Sequence, residues 1–229
     1  MICINCGHEY NSNFCPNCGQ KAGVPRITFS SIFGNGFATI TNMNKGFLFN
    51  VKHLFLNPNG IVNDFIKGKR KNIFNPISFL IVIVTVYLII DSIIVVKVTA
   101  PNTKAKAFAV GYEAGRFLKF YSKYFWILSI VWLSIATKLV FGKFNYAEHL
   151  AINAFVMGQS TLVGLVSFII TKSVLLFNPL IYISIIWITY KVFKEKKKDL
   201  NTFIQSFAST FLFFIQLIII VVLIGIIRS

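Results

Sequence analysis

All four cysteines of the chain lie in its first eighteen residues, as Cys3-x-x-Cys6 and, eight residues on, Cys15-x-x-Cys18. Two such pairs supply four thiolates, a full ligand set for tetrahedral zinc at about 2.3 Å per bond. Gly7 and Gly19 follow the second cysteine of each pair, where a tight backbone turn must bring amides close to sulfur. The other chemistry open to four cysteines is a pair of disulfides, which needs an oxidising compartment. The spacing and the sidedness argued below favour a closed structural Zn2+ site at Cys3, Cys6, Cys15 and Cys18 over disulfides or redox work.

Two further sets of residues are candidates for chemistry. The cluster Lys67, Lys69, Arg70 and Lys71 precedes the first long apolar run. Near an anionic surface each cation contributes roughly 1 kcal/mol, so headgroup binding is one reading. A juxtamembrane anchor with no lipid preference is the other, and it leads. The second set is polar residues inside apolar runs. At 100° per residue His149, Asn153, Ser160, Gly164, Ser167 and Thr171 share a stripe about 60° wide. Gln205, Ser209 and Gln216 form a second. Such residues face other helices or a wet path; packing is the leading reading and a path the alternative. Glu148 sits where a helix N-terminus favours a carboxylate. No His-Glu-x-x-His helix is present, so metal-dependent proteolysis has no ligand set.

The elements that hold these residues are set by hydropathy. Of 229 residues 55% are hydrophobic and 13% charged, and the apolar ones collect in runs near the twenty residues a bilayer crossing needs. Five spans are expected, at about 76–96, 124–141, 149–171, 174–193 and 204–227. Asn178-Pro179 falls near the start of the fourth. Residues 1–25 form the cysteine unit, 26–75 a basic amphipathic linker, and 76–229 the transmembrane domain. The linker carries short helical patterns over Ile32–Ile40, Phe47–Phe55 and Ile61–Ile66, broken at Asn57-Pro58-Asn59-Gly60 and suited to the headgroup layer. The fold class is therefore an all-α polytopic membrane protein with a small N-terminal zinc ribbon.

The first residues lack a basic region followed by an apolar core, so no cleavable signal peptide is expected and internal helices direct insertion. A net charge of +16 suggests nucleic acid in a soluble protein. Here no basic stretch accompanies a nucleic-acid-binding fold, and lysines flanking spans explain it. With five spans and the N-terminus inside, fifteen basic residues fall on the cytosolic side and eight outside, which supports a cytosolic head and an external C-terminus.

The chain resembles a bacterial membrane family, domain of unknown function 3667. The resemblance rests on Cys3 to Gly7, Phe14 to Lys21, Arg26-Ile27-Thr28, Lys45-Gly46-Phe47, a Pro-Gly turn, Ile66 to Arg70, Asn75-Pro76 and Glu148-His149-Leu150. Asn59 is inserted in the Pro-Gly turn, and Asn44 stands where an acidic residue is expected. The resemblance implies a zinc-ribbon head on a multipass domain in a bacterial inner membrane, and no activity. The leading expectation is a non-enzymatic scaffold or assembly protein, with lipids and a cytosolic or membrane protein as partners. The alternative is a small-molecule or lipid transporter using the two stripes. An enzyme acting through Glu148 and His149 stands third.

Overall fold

The computed structural model describes residues 1–33, 46–94, 106–172, 175–194 and 199–228. Seven helices are labelled within them: α1 Gly46–Leu56, α2 Pro58–Ile66, α3 Pro76–Ile93, α4 Lys106–Phe141, α5 Tyr146–Thr171, α6 Pro179–Phe193 and α7 Asp199–Arg228. A 3-10 turn at Leu175–Phe177 precedes α6. Extended pairing among the described residues consists of isolated antiparallel bridges, Ile2 with Glu9 and Phe14 with Lys21. Asn44 lies outside the described residues.

An asparagine cap starts four of these helices. Asn57, Asn75 and Asn178 each precede a proline, and each side chain accepts backbone N–H bonds from the first turn. Proline is suited to that first position because its missing N–H would have no partner there, and the asparagine satisfies the amides that follow. At α5 the cap is Asn145 with Glu148 returning a bond, a full capping box. The acid at the start of the third expected span is thus explained locally.

Among the described residues, three helices are long and apolar enough to cross a membrane: Pro76–Ile93, Tyr146–Thr171 and the Asp199–Ile220 part of α7. Phe125–Phe141 and Pro179–Phe193 are apolar but shorter. Two boundaries differ from the expected ones. The expected connection at 97–123 is helical from Lys106 onward, continuous with the apolar part of α4. It lacks proline after Pro101 and is rich in Lys, Ala, Phe and Tyr, so nothing stops a helix propagating back from its apolar half. The fourth span is only the fifteen residues of α6, because Pro179 cannot donate to a turn before it.

The packing order places the ends. α5 lies at the centre, against α3, α4 and α6, and α7 closes the bundle against α4 and α6. Phe141 at the end of α4 stacks on Phe193 at the end of α6, centroids 3.9 Å apart. The His149 ring near the start of α5 lies 5.8 Å from Phe193. Lys194 and Asp199 pair across the α6–α7 connection at 3.1 Å. Arg26, beyond the cysteine unit, reaches the start of α5. The starts of α5 and α7 and the ends of α4 and α6 therefore share one end of the bundle with the head.

α1 and α2 are packed onto this bundle. Leu54, Ile61, Val62 and Phe65 are buried and belong to the same apolar core as Phe79, Phe155 and Ile181. Asn50 is fully buried and pairs with both the amide and the carbonyl of Phe74. The surface shows the reverse distribution: Ile93, Leu139, Ile170, Ile183, Phe207 and Phe211 are exposed. An apolar surface over a core that also buries polar side chains is the pattern of a body whose solvent is hydrocarbon.

Candidate metal centre and buried polar seam

The cysteine unit is two copies of one turn. Cys3 N donates to His8 O at 2.9 Å and Gly7 N to Cys3 O at 2.9 Å; Cys15 N donates to Gln20 O at 2.9 Å and Gly19 N to Cys15 O at 2.8 Å. Gly7 and Gly19 have φ of 77° and 71°, a left-handed turn that side chains resist. The turns bring the four Sγ atoms within 4.8 Å of one another. Cys3 and Cys18 are 3.6 Å apart, as are Cys6 and Cys15. Four 2.3 Å bonds in a tetrahedron separate sulfurs by about 3.8 Å, so this set could hold a metal ion. None of the four is joined in a disulfide. The His8 backbone amide holds Cys6 down at about 6, while burial pushes Cys15 up to about 11. Ligation removes that split, since a coordinated thiol is deprotonated outright.

The head is fixed to the helices at two places. Arg26 Nε and Nη2 donate to the two oxygens of Glu148 at 2.7 and 3.0 Å. This is a two-bond pair, in which both shape and charge specify the partner. The Glu148 side chain is 3% exposed and that of Arg26 is 70% exposed, so the arginine reaches in to a nearly buried acid. Its own ionisation is pushed further up by that partner. The second place is Gln20, whose Oε1 accepts from the amides of Arg70 at 3.2 Å and Lys71 at 2.9 Å. Gln20 immediately follows the second knuckle, so the cysteine turn is one residue from the membrane-proximal loop. Sequence reasoning placed Glu148 at a cap and gave Arg26 no role. The available signal was a nearly buried acid requiring a cation.

The α5 stripe is buried from His149 to Ser167, and Thr171 at its end is exposed. His149, Asn153 and Ser160 are fully covered, and Ser167 is buried too. Asn153 Nδ2 donates to Thr137 Oγ1 at 2.7 Å and Ser134 Oγ at 3.3 Å. His149 Nδ1 lies 3.1 Å from Thr137 Oγ1. The partners on α4, Ser134 and Thr137, were not singled out in the sequence, nor was the buried bond of Trp126 Nε1 to Thr161 Oγ1 at 2.8 Å. Among the described residues, His149 Nε2, Asn153 Oδ1, Ser160 Oγ and Thr189 Oγ1 have no hydrogen-bond partner. The stripe is filled at two places: Phe193 lies over His149, and a Cβ at Gly164 would meet Leu175 Cδ2 at 2.8 Å.

The α7 stripe is divided. Ser209 is buried, Gln216 is half-buried and Gln205 is exposed. The buried polar face of α7 instead holds Thr202, Ser206, Ser209 and Thr210. Ser206, Ser209 and Thr210 bond to carbonyls of their own helix, which satisfies each hydroxyl while keeping the face narrow for close approach.

The basic cluster is divided as well. Lys69 pairs with Asp64 at 3.3 Å. Arg70 turns inward, its Nη2 donating to Pro25 O at 3.0 Å and its guanidinium 5.2 Å from the Phe65 ring centroid. Lys71 lies beside Gly19 of the head, and Lys67 closes α2 as its C-cap.

No curated protein and no solved structure matches the chain. The cysteines and Glu148 lie outside the one stretch that a family model matches. That stretch, residues 44–88, takes in α1, α2, the Arg70 loop and most of α3, and over it the chain matches the family described as "Protein of unknown function (DUF3667)".

Proposed function

We propose that the chain is a scaffold or assembly protein of a bacterial cytoplasmic membrane, with a zinc-ordered head facing the cytosol and its C-terminus outside. The Arg26–Glu148 pair carries this reading. A head tied by two charge-assisted bonds to the central helix is held in one orientation on the bundle, as a docking surface must be. Buried packing of the α5 stripe, with Gly164 closed against Leu175 and Ile181, supports a static body. The zinc reading rests on the ligand chemistry of four thiolates, and the sidedness on the basic-residue count.

The test is affinity purification of the chain from native membranes, beside a Cys3→Ser, Cys15→Ser variant and an Arg26→Gln, Glu148→Gln variant. Membrane or cytosolic proteins that co-purify with the wild type should be lost from both variants at equal chain recovery. An identical set of co-purifying proteins from all three would defeat the scaffold reading. Transport is the second reading, favoured by the buried polar atoms of His149, Asn153 and Ser160 on α5 and Thr189 on α6 that lack hydrogen-bond partners.

A further inference from the structure

Beside Arg70 is a cavity of about 260 Å3, walled by Arg70, Ser31 and Asn75 and by apolar Ile27, Phe65 and Ile73. The guanidinium there is half-buried, and burial pushes its ionisation down from the usual arginine range. Its hydrogen bonds go to two carbonyls, Pro25 O at 3.0 Å and Phe65 O at 3.4 Å. A guanidinium has five N–H donors, so donors are left for another acceptor. Among the described residues no carboxylate pairs with it. Asp64 is engaged by Lys69 and Glu148 by Arg26. Residues 34–45 contain no Asp or Glu. A cation drawn partly out of water without an anion is costly.

We propose that this cavity binds the phosphate group of an anionic phospholipid headgroup, through Arg70. Phosphate matches the fork of the guanidinium in shape and charge. The location favours a lipid over a free ion. Asn75 is the cap of α3, the first helix long and apolar enough to cross a membrane, so the cavity lies at the depth of headgroups. Its apolar wall of Ile27, Phe65 and Ile73 suits the glycerol and first methylenes that follow the phosphate. The site is separate from the scaffold reading and stands or falls without it. It also separates Arg70 from its neighbours: Lys69, paired with Asp64, contributes only general attraction to the surface.

The experiment uses the full chain in phosphatidylcholine nanodiscs carrying a minority of spin-labelled phosphatidylglycerol or spin-labelled phosphatidylcholine, read by the motionally restricted lipid fraction. The wild type should prefer phosphatidylglycerol. Arg70→Gln should lower that preference by about tenfold or more, as expected for lost bonds to a charged group. Arg70 also holds Pro25, so Arg70→Gln could lose the docked head. Ile73→Trp keeps Arg70 and fills the cavity, and it should lower the preference comparably with helix content unchanged. Lys69→Gln should retain most of it. Equal affinity of the wild type for both lipids, or a preference unaltered in Ile73→Trp, would overturn the proposal. Displacement of phosphatidylglycerol by inorganic phosphate at equal concentration would overturn the lipid source and leave a free-anion site.

Discussion

A single buried acid, Glu148, does two jobs at once. Its carboxylate caps α5 by bonding the Asn145 amide and binds Arg26 with both oxygens. Glutamine can keep the cap, since Glu and Gln both serve at that position, so Glu148→Gln isolates the ion pair. Arg26→Gln and Glu148→Gln should each expose residues 19–26 to limited proteolysis, and the double variant should be no more sensitive than either single. Additive sensitivities would mean that the two side chains do not act through each other. At the cysteines, elemental analysis of the purified chain should give about one zinc per chain. A chelator should release the same 19–26 segment to protease, because so short a unit folds only with its metal. A folded, protease-resistant head without metal would contradict this.

α5 is the element on which the others are arranged, and its glycines show why. A Cβ at Gly158 would meet Phe79 Cδ1 at 2.7 Å, and one at Gly164 would meet Leu175 at 2.8 Å. Helices on both sides approach α5 only because hydrogens stand there. Gly164→Leu should lower stability in detergent by about 1–3 kcal/mol through overpacking. Asn153→Leu should be milder, about 0.6 kcal/mol, the average for polar pairs within membranes. Thermal unfolding of the two variants in one detergent checks the ranking, and a reversed order would mean that the Asn153 bonds to Thr137 and Ser134, rather than the close approach, hold α5 in place.

For the whole molecule, polar side chains meet inside the bundle between α4 and α5, and large apolar side chains are exposed on its exterior. If the seam only packs, cysteines at 153, 160 and 167, in a folded background lacking the native thiols, should stay unreactive to a water-soluble thiol reagent. Phe155 and Ile169 provide comparison positions, one buried and one exposed. Labelling along 153, 160 and 167 but at neither comparison position would favour a hydrated path and the transport reading. Sidedness is tested by a reporter fused after Ser229. It should be active only outside the cytosol; cytosolic activity would mean an even number of crossings, with the short α6 the first helix to re-examine.

Much of this was legible from local chemistry. Cys3, Cys6, Cys15 and Cys18 announce a cluster that could hold a metal ion, because ligand type and knuckle spacing are properties of a few consecutive residues. The apolar runs announce membrane-length helices because a bilayer imposes length and hydropathy on each segment separately, and Asn-Pro marks where several begin. Partners distant in the chain were not legible. Nothing near Arg26 points to Glu148, 122 residues away, and nothing near Gln20 points to the amides of Arg70 and Lys71. A helical wheel groups His149, Asn153 and Ser160, since a face follows from the 3.6-residue turn alone, and all three are buried. It groups Gln205 with Ser209 as well, yet α7 buries Thr202, Ser206, Ser209 and Thr210. Periodicity fixes which residues share a face, whereas the neighbouring helices decide how far along its length that face is covered.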